Sequence, residues 1–285
     1  MRLIAVTHEG LEKAAEIELG KFGAKTVAPG HVEVNAELKE LVRARTIDKI
    51  VLPIAEFDFT GVDAIYKKLK ETDLEYSPAS FAIDAHVYGT DVKSVDVAKA
   101  AGKAFVEKYG WKVDLKNPAL VIRVDVSEKV VAGVDMTKGS SLSKRAWAPE
   151  FDATIAAAMV ILSGAKRIAD PNCGDGTIVI EAGLLGAEAL GVRPKESARK
   201  KIMSAGVEDK VKLALSMDVP FGPDMIITAF PDDVSFSLPA VFFSNKKLDC
   251  EILAELASGK IYRTRPSEAK QLQLLAPLAH KPTSA

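Results

Sequence analysis

The chain has 285 residues and a formal net charge of −1. This length suggests two or three domains rather than one, and apolar residues, at 48%, are numerous enough to build their cores. The near-zero charge excludes a protein that binds nucleic acid through a global basic excess, so any such contact requires a local basic patch.

Cysteine and histidine usage excludes two further classes. The two cysteines do not make a disulfide framework, and the four histidines lack the spacing of a zinc site, so no metal is expected. The N-terminus becomes polar too early for a secretory signal. The longest apolar run, near Ile155 to Leu162, is too short to span a bilayer. We therefore expect a cytoplasmic protein.

Residues 1–60 predict a small α+β part. Leu3 to Val6 has the pattern of a strand, and Gly10 to Leu19 that of an amphipathic helix. His31 to Asn35 and Ile50 to Phe59 predict two further strands. Strands and helices mixed over this length favour helices on one face of a sheet.

Residues 61–148 predict a second part of mixed structure. Phe81 to Val87 alternates like a strand, and the apolar residues of Ser94 to Lys108 recur at helical spacing. Leu120 to Val126 and Val130 to Asp135 predict two more strands. This part ends in a segment that is basic and contains one large aromatic side chain.

Four residues of that segment are candidate RNA contacts: Lys138, Lys144, Arg145 and Trp147. Lysine and arginine on a loop can meet phosphates, and a tryptophan can stack on a base or pack between domains. The alternative is a solvated linker with one anchoring aromatic, and the residues alone favour this alternative.

Residues 149–285 contain the stretch on which the chemistry depends. It runs from Asp170 to Thr177 and joins a short strand to a helix that starts near Ile178. Glycines such as Gly174 and Gly176 let a ligand approach the backbone, and free N–H groups at a helix start attract polar groups. The alternative is an ordinary strand-to-helix turn, because a lone Gly-x-Gly is common.

Strands and helices alternate beyond this stretch. Glu188 to Val192, Val211 to Leu215 and Asp224 to Thr228 predict strands, and Pro194 to Ala205 predicts a helix. This order implies a right-handed, mostly parallel sheet of the doubly wound class. We expect the sheet to be shortened, with Lys246 to Ala257 as a helix and no terminal hairpin.

Two patterns resemble one family. The motif Asp-Pro-x-Cys-Gly-x-Gly-Thr-(x)3-Glu-Ala resembles the first motif of THUMP-containing RNA methyltransferases that use S-adenosylmethionine. Residues 81–147 resemble a THUMP domain, and the N-terminal part is similar to the ferredoxin-like part of the same proteins. The resemblance implies an RNA partner, with tRNA favoured, and S-adenosylmethionine as cofactor. It assigns these residues to the cofactor: Asp170, Cys173, Gly174, Gly176, Thr177 and Asp218.

The chain departs from the family at one residue and in one motif. Arg193 stands where a carboxylate usually accepts hydrogen bonds from the ribose hydroxyls, and arginine only donates. The motif that should hold and stack the target base is Asn-Pro-Pro-Tyr in the family, whereas this chain has Ala229, Phe230, Pro231 and Asp232.

Three functions remain open at this point. We expect an RNA-binding family member in which methyl transfer is doubtful or lost and cofactor binding weak or absent. The alternative is an active methyltransferase that acts on a guanine exocyclic amine. A third, disfavoured alternative is a small-molecule α/β enzyme.

Overall fold

The computed structural model describes residues 1–218, 220–229, 239–244, 250–256 and 258–264. The chain divides into two compact units. The first contains Met1–His8 and Leu19–Leu142, and the second contains Glu9–Glu18 and Ser143–Ala285. The predicted division into residues 1–60, 61–148 and 149–285 stays a prediction, although the first two of these parts contribute strands to one sheet.

The first unit is built on a sheet of seven described strands. They are β1 (Arg2–Val6), β2 (Lys25–Ala28), β3 (His31–Asn35), β4 (Lys49–Asp58), β5 (Phe81–Val87), β6 (Leu120–Val126) and β7 (Lys129–Asp135). Helix α1 (Glu12–Glu18) follows β1 in the chain, and α2 (Leu38–Leu41), α3 (Val62–Glu71) and α4 (Ser94–Tyr109) come later. The strand order is β2-β3-β1-β4-β7-β6-β5, and only the β5–β6 pair is parallel among these strands.

Strand β6 shows how this sheet separates an apolar face from a charged one. Ile122 and Val124 belong to a core that also contains residues of α3 and α4. Arg123 and Asp125 alternate with them and form a buried ion pair, with 2.6 Å between Nε and Oδ2. His31 of β3 contacts the same carboxylate at 2.8 Å. The period of two along the strand thus places charged groups opposite the helices.

The second unit contains the remaining described elements. Its helices are α1, α5 (Ala153–Ser163), α6 (Thr177–Leu184) and α7 (Glu196–Ala205). Its strands are β8 (Arg167–Asp170), β9 (Glu188–Val192), β10 (Val211–Ala214), β11 (Met225–Thr228), β12 (Ala240–Ser244), β13 (Glu251–Leu256) and β14 (Gly259–Thr264).

The sheet of this unit has the order β10-β9-β8-β11-β12-β14-β13. The first five strands are mutually parallel. Strand β14 pairs with β12 in antiparallel orientation, and β13 pairs with β14 in the same way. The predicted fold class, an α+β part followed by a Rossmann-like domain with a mostly parallel sheet, is confirmed. The chain order reverses between β8 and β11, and ligands of such sheets bind beyond the carboxyl ends of strands at this switch point.

The expectation of a shortened sheet without a terminal hairpin is wrong. Strand β13 occupies most of the described part of the predicted helix Lys246 to Ala257, and it pairs with β14 as an antiparallel hairpin. Leu, Ala and Glu residues in this segment favour a helix, but pairing with a neighbouring strand overrides such weak local preferences.

Helix α1 also lies elsewhere than expected. The sequence places it in the N-terminal α+β part, whereas the structure places it in the second unit. Leu11, directly before the helix, and Ala14, in its first turn, explain this placement. Both are fully buried in a core that also contains residues of α5 and α6. Gly10 adopts a φ of +93°, and a Cβ there would overlap the carbonyl oxygen of Glu255, so the helix starts against β13.

Candidate functional site

A cavity of about 340 Å³ opens at the switch point of the second sheet. Its walls are formed by residues that follow β8, β9 and β11 and by residues of the segment before α5. Its lining consists of Glu150, Phe151, Asp170, Asn172, Cys173, Gly174, Asp175, Thr177, Ile178, Lys195 and Ala229. The cavity thus contains four of the six predicted cofactor residues, and its volume suits a small ligand.

Asp170 ends β8 at the floor of this cavity and is 2% exposed. Its carboxylate accepts hydrogen bonds from the backbone N–H of Asn172 at 3.1 Å and from the Thr228 hydroxyl. Burial raises the pKa of Asp170 to about 7, and the hydrogen bonds only partly oppose this effect. The cavity therefore holds a carboxyl group that titrates near neutral pH.

The two glycines of the loop adopt left-handed conformations. Gly174 has a φ of 55° and lines the cavity, and Gly176 has a φ of 91° and directly precedes α6. Side chains with a Cβ rarely adopt these angles. Asp175, between them, accepts the Thr177 hydroxyl at 2.8 Å, so the Thr177 side chain braces the loop.

The second oxygen of Asp175 holds the segment that precedes α5. Its Oδ2 accepts the backbone N–H of Glu150 at 2.8 Å and the Nζ of Lys201 at 2.8 Å. Lys201 also donates to the carbonyl of Ala148 at 2.7 Å. Burial raises the pKa of Asp175, but the Lys201 ammonium and the hydrogen bonds outweigh it and leave the pKa below its ordinary value. Asp175 is therefore charged and joins three segments beside the cavity.

Cys173 lines the cavity but packs mainly against β9. A Cβ on Gly191 would lie 2.4 Å from its Sγ, so the glycine makes room for the thiol. Burial and the neighbouring carboxylates of Asp170 and Asp175 raise the pKa of Cys173 well above its ordinary value. The thiol therefore stays protonated, and its contribution here is packing.

The loop after β9 differs from the loop after β8. Arg193 has a φ of 51°, is exposed and does not line the cavity. Lys195 does line it: its backbone N–H donates to the carbonyl of Gly174 at 2.7 Å, and its ammonium forms an ion pair with Glu150. An acceptor for ribose hydroxyls is thus missing at Arg193 itself.

Two further predicted positions lie around this site. Asp218 is exposed, accepts the Ser216 hydroxyl at 3.1 Å and does not line the cavity, so its contact with the adenine stays a prediction. Ala229 follows β11 and lines the cavity. Phe230, Pro231 and Asp232 lie outside the described residues.

The four predicted RNA contacts divide into two kinds. Lys138 and Lys144 are exposed, as contact with phosphate requires. Arg145 is 8% exposed and its Nε lies 3.0 Å from Oε1 of the buried Glu181, and its contact with RNA stays a prediction. Trp147 is 7% exposed and belongs to the core of the second unit, and its contact with RNA also stays a prediction.

Sequence reasoning missed Glu150 and Lys195. Neither belongs to the motif of residues 170–177, and Glu150 follows a proline in a segment without a regular pattern. The Glu-Ala pair of the motif and the Lys-Arg pair of the linker meet in the ion pair of Arg145 with Glu181.

No helix in the part of the chain that the structure describes is long and apolar enough to cross a membrane. The same residues contain no group of three or more histidine, cysteine, aspartate or glutamate side chains that could hold a metal ion.

Comparisons with known proteins place both units. The model of the THUMP domain family matches residues 59–132, and that of the RMKL-like methyltransferase domain matches residues 145–225. TrmN from Thermus thermophilus has a similar fold, with a TM-score of 0.69 and 21% identity, over 92% of this chain and 98% of that one.

Two curated relatives are similar to this chain in sequence. A tRNA (guanine(6)-N2)-methyltransferase of Archaeoglobus fulgidus is 32% identical over 65% of this chain and 54% of its own length. The U6 snRNA (guanine-N(2))-methyltransferase THUMPD2 of Homo sapiens is 30% identical over 56% of this chain and 35% of its own length. The chain thus spans about half or less of the relatives it matches. It contains a region that matches the THUMP domain family, followed by a region that matches the RMKL-like methyltransferase domain.

Proposed function

We propose that this chain is an S-adenosylmethionine-dependent RNA methyltransferase that acts on the exocyclic amine of a guanine in tRNA. The cavity at the switch point, bordered by the glycine loop after β8, is the observation that carries this proposal. The family supports it, because the two curated relatives are named for transfer to guanine N2 of an RNA.

The charges of the cavity fit the cofactor. S-adenosylmethionine supplies a methyl group on a sulfonium centre and also carries an ammonium and a carboxylate. The lining residues Asp170 and Glu150 offer carboxyl groups toward positive charge, and Lys195 offers an ammonium toward negative charge. Phe151 and Ile178 add apolar surface for a ring. This donor and acceptor set suits a small zwitterionic ligand.

The chain's own residues would position the reacting groups. Gly174 leaves space for a ligand beside the backbone, since a Cβ there would have its nearest neighbour 4.0 Å away. Ala229 offers no acceptor for the target amine. Asp170, which is bonded to Thr228, is the carboxyl group that the structure places next to this strand end. With a pKa of about 7, its carboxylate is suited to accept a proton that the amine loses.

The second candidate is an RNA-binding protein without methyl transfer. Arg193 and Ala229 favour it, because each lacks an acceptor that the family uses. Both candidates share the RNA partner, so RNA binding does not separate them, whereas transfer of the methyl group does.

A single-turnover assay with labelled S-adenosylmethionine and total tRNA tests the proposal. We expect label at a defined guanine, lost in Gly174→Met because the side chain fills the cavity. Gly206→Met is the matched control: Gly206 is also left-handed, at a φ of 70°, has open space around it and lies outside the cavity lining. RNA binding without any incorporation by the unmodified chain would instead support the second candidate.

A further inference from the structure

The loop after β9 lacks an acceptor where the ribose of the cofactor is expected. Two adjacent hydroxyls need a group that accepts two hydrogen bonds, and Arg193 only donates. We infer that Glu150, brought in from the segment before α5, supplies this acceptor. The inference rests on the proposed function, because it concerns how the same cavity holds an adenosine cofactor.

The position of Glu150 carries the inference. It lines the cavity together with Gly174 and Lys195, and its carboxylate pairs with the Lys195 ammonium. Lys195 is itself fixed to the glycine loop. Its backbone N–H donates to the Gly174 carbonyl, and Pro194 and Gly174 form an isolated parallel β-bridge. The Glu150 carboxylate therefore lies beside Lys195, which belongs to the loop that follows β9 and is two residues beyond Arg193 in the chain.

The backbone of Glu150 is held while its side chain stays accessible. Asp175 accepts the Glu150 N–H, and Lys201 bonds both Asp175 and the carbonyl of Ala148. The side chain is 50% exposed, so a ligand in the cavity can reach it. Its Oε2 pairs with Lys195, and among the described residues its Oε1 has no hydrogen-bond partner. A preorganised carboxylate with a remaining acceptor oxygen is suited to a pair of hydroxyls.

Lys195 would act as the counter-charge of this acceptor. It places a positive charge next to Glu150, near Asp170 and Asp175, whose carboxyl groups also border the cavity. In the family a carboxylate at the end of β9 accepts from the ribose. In this chain Glu150, from the segment before α5, would take that role, with its charge balanced by Lys195. A cofactor without ribose hydroxyls would lose the contact with Glu150 and keep the others.

Calorimetric titration of the full chain with S-adenosylhomocysteine, and with its analogue lacking both ribose hydroxyls, tests this inference. We expect Glu150→Gln to weaken binding of S-adenosylhomocysteine about tenfold, since a hydrogen bond to a charged group is lost. The unmodified chain and Glu150→Gln should bind the analogue with the same affinity. Glu196→Gln is the matched control, because Glu196 is also exposed and lies outside the cavity lining.

The outcomes separate the two proposals. Binding of S-adenosylhomocysteine that is equal in the unmodified chain and Glu150→Gln would overturn the role of Glu150 and leave the proposed function standing. An equal loss for both ligands would also overturn it, because the effect would then not involve the hydroxyls. Absence of binding to the unmodified chain would overturn both. Unchanged thermal unfolding without ligand shows that the variants are folded.

Discussion

Two neighbouring strand ends of the same sheet differ in a way that explains the site. The loop after β8 is buried and internally bonded: Asp170 accepts from Asn172, and Asp175 braces Thr177. The loop after β9 is exposed and cationic, with Arg193 in a left-handed conformation. Backbone geometry for a cofactor is therefore retained at one strand end, while the acceptor expected at the next is replaced.

The largest expected effect is a loss of stability when the ion pair that anchors α6, the helix after the β8 loop, is broken. Glu181 lies in α6, which directly continues the glycine loop, and its buried carboxylate pairs with Arg145. Arg145→Ala should lower the free energy of unfolding by about 3–5 kcal/mol, because it leaves a buried charge without this partner. Chemical denaturation measures this. Lys144→Ala is the adjacent control and should change stability by less than about 0.5 kcal/mol. Equal small effects would show that the pair does not anchor α6.

The next effect concerns the titration of Asp170. Its pKa is about 7 in the folded chain and lower when unfolded, so the folded state binds the proton more tightly. The stabilisation from protonation is complete below pH 4 and disappears as the pH rises to about 7, by up to about 4 kcal/mol. Asp170→Asn should remove this slope from unfolding measured at pH 4 to 8. A slope that persists in the variant would assign it to another group.

The sequence predicted the β8 side better than the rest, for physical reasons. Glycine positions and a strand-to-helix transition are local features, so the loop from Asp170 to Thr177 could be recognised from spacing. The ion pair of Arg145 with Glu181 and that of Lys195 with Glu150 join distant segments, and nothing local announces them. The hairpin of β13 and β14 was missed for the same reason, because pairing rather than local preference makes that strand.

A smaller effect separates RNA contact from folding. Lys144 is exposed and adjacent to the buried Arg145. Lys144→Glu should weaken tRNA binding severalfold without altering unfolding, and should lower the slope of log affinity against log salt by about 1. Filter binding across a salt series measures both quantities. An unchanged salt slope would remove Lys144 from the RNA surface.

The smallest effect concerns the exposed side of the β9 loop. Arg193→Ala should change the affinity for S-adenosylhomocysteine by no more than about twofold, because Arg193 does not line the cavity. Titration calorimetry beside Glu150→Gln gives the comparison. A tenfold loss in Arg193→Ala would mean that the arginine itself contacts the cofactor, and the contrast between the two strand ends would disappear.

Hydrogen–deuterium exchange with and without S-adenosylhomocysteine tests most directly whether the cavity is the cofactor site. We expect slower exchange on ligand addition in peptides that cover residues 170–177, in the segment around Glu150 and in the loop that contains Lys195. Bound ligand that leaves exchange in all three segments unchanged, or slows it only in the first unit, would contradict this assignment.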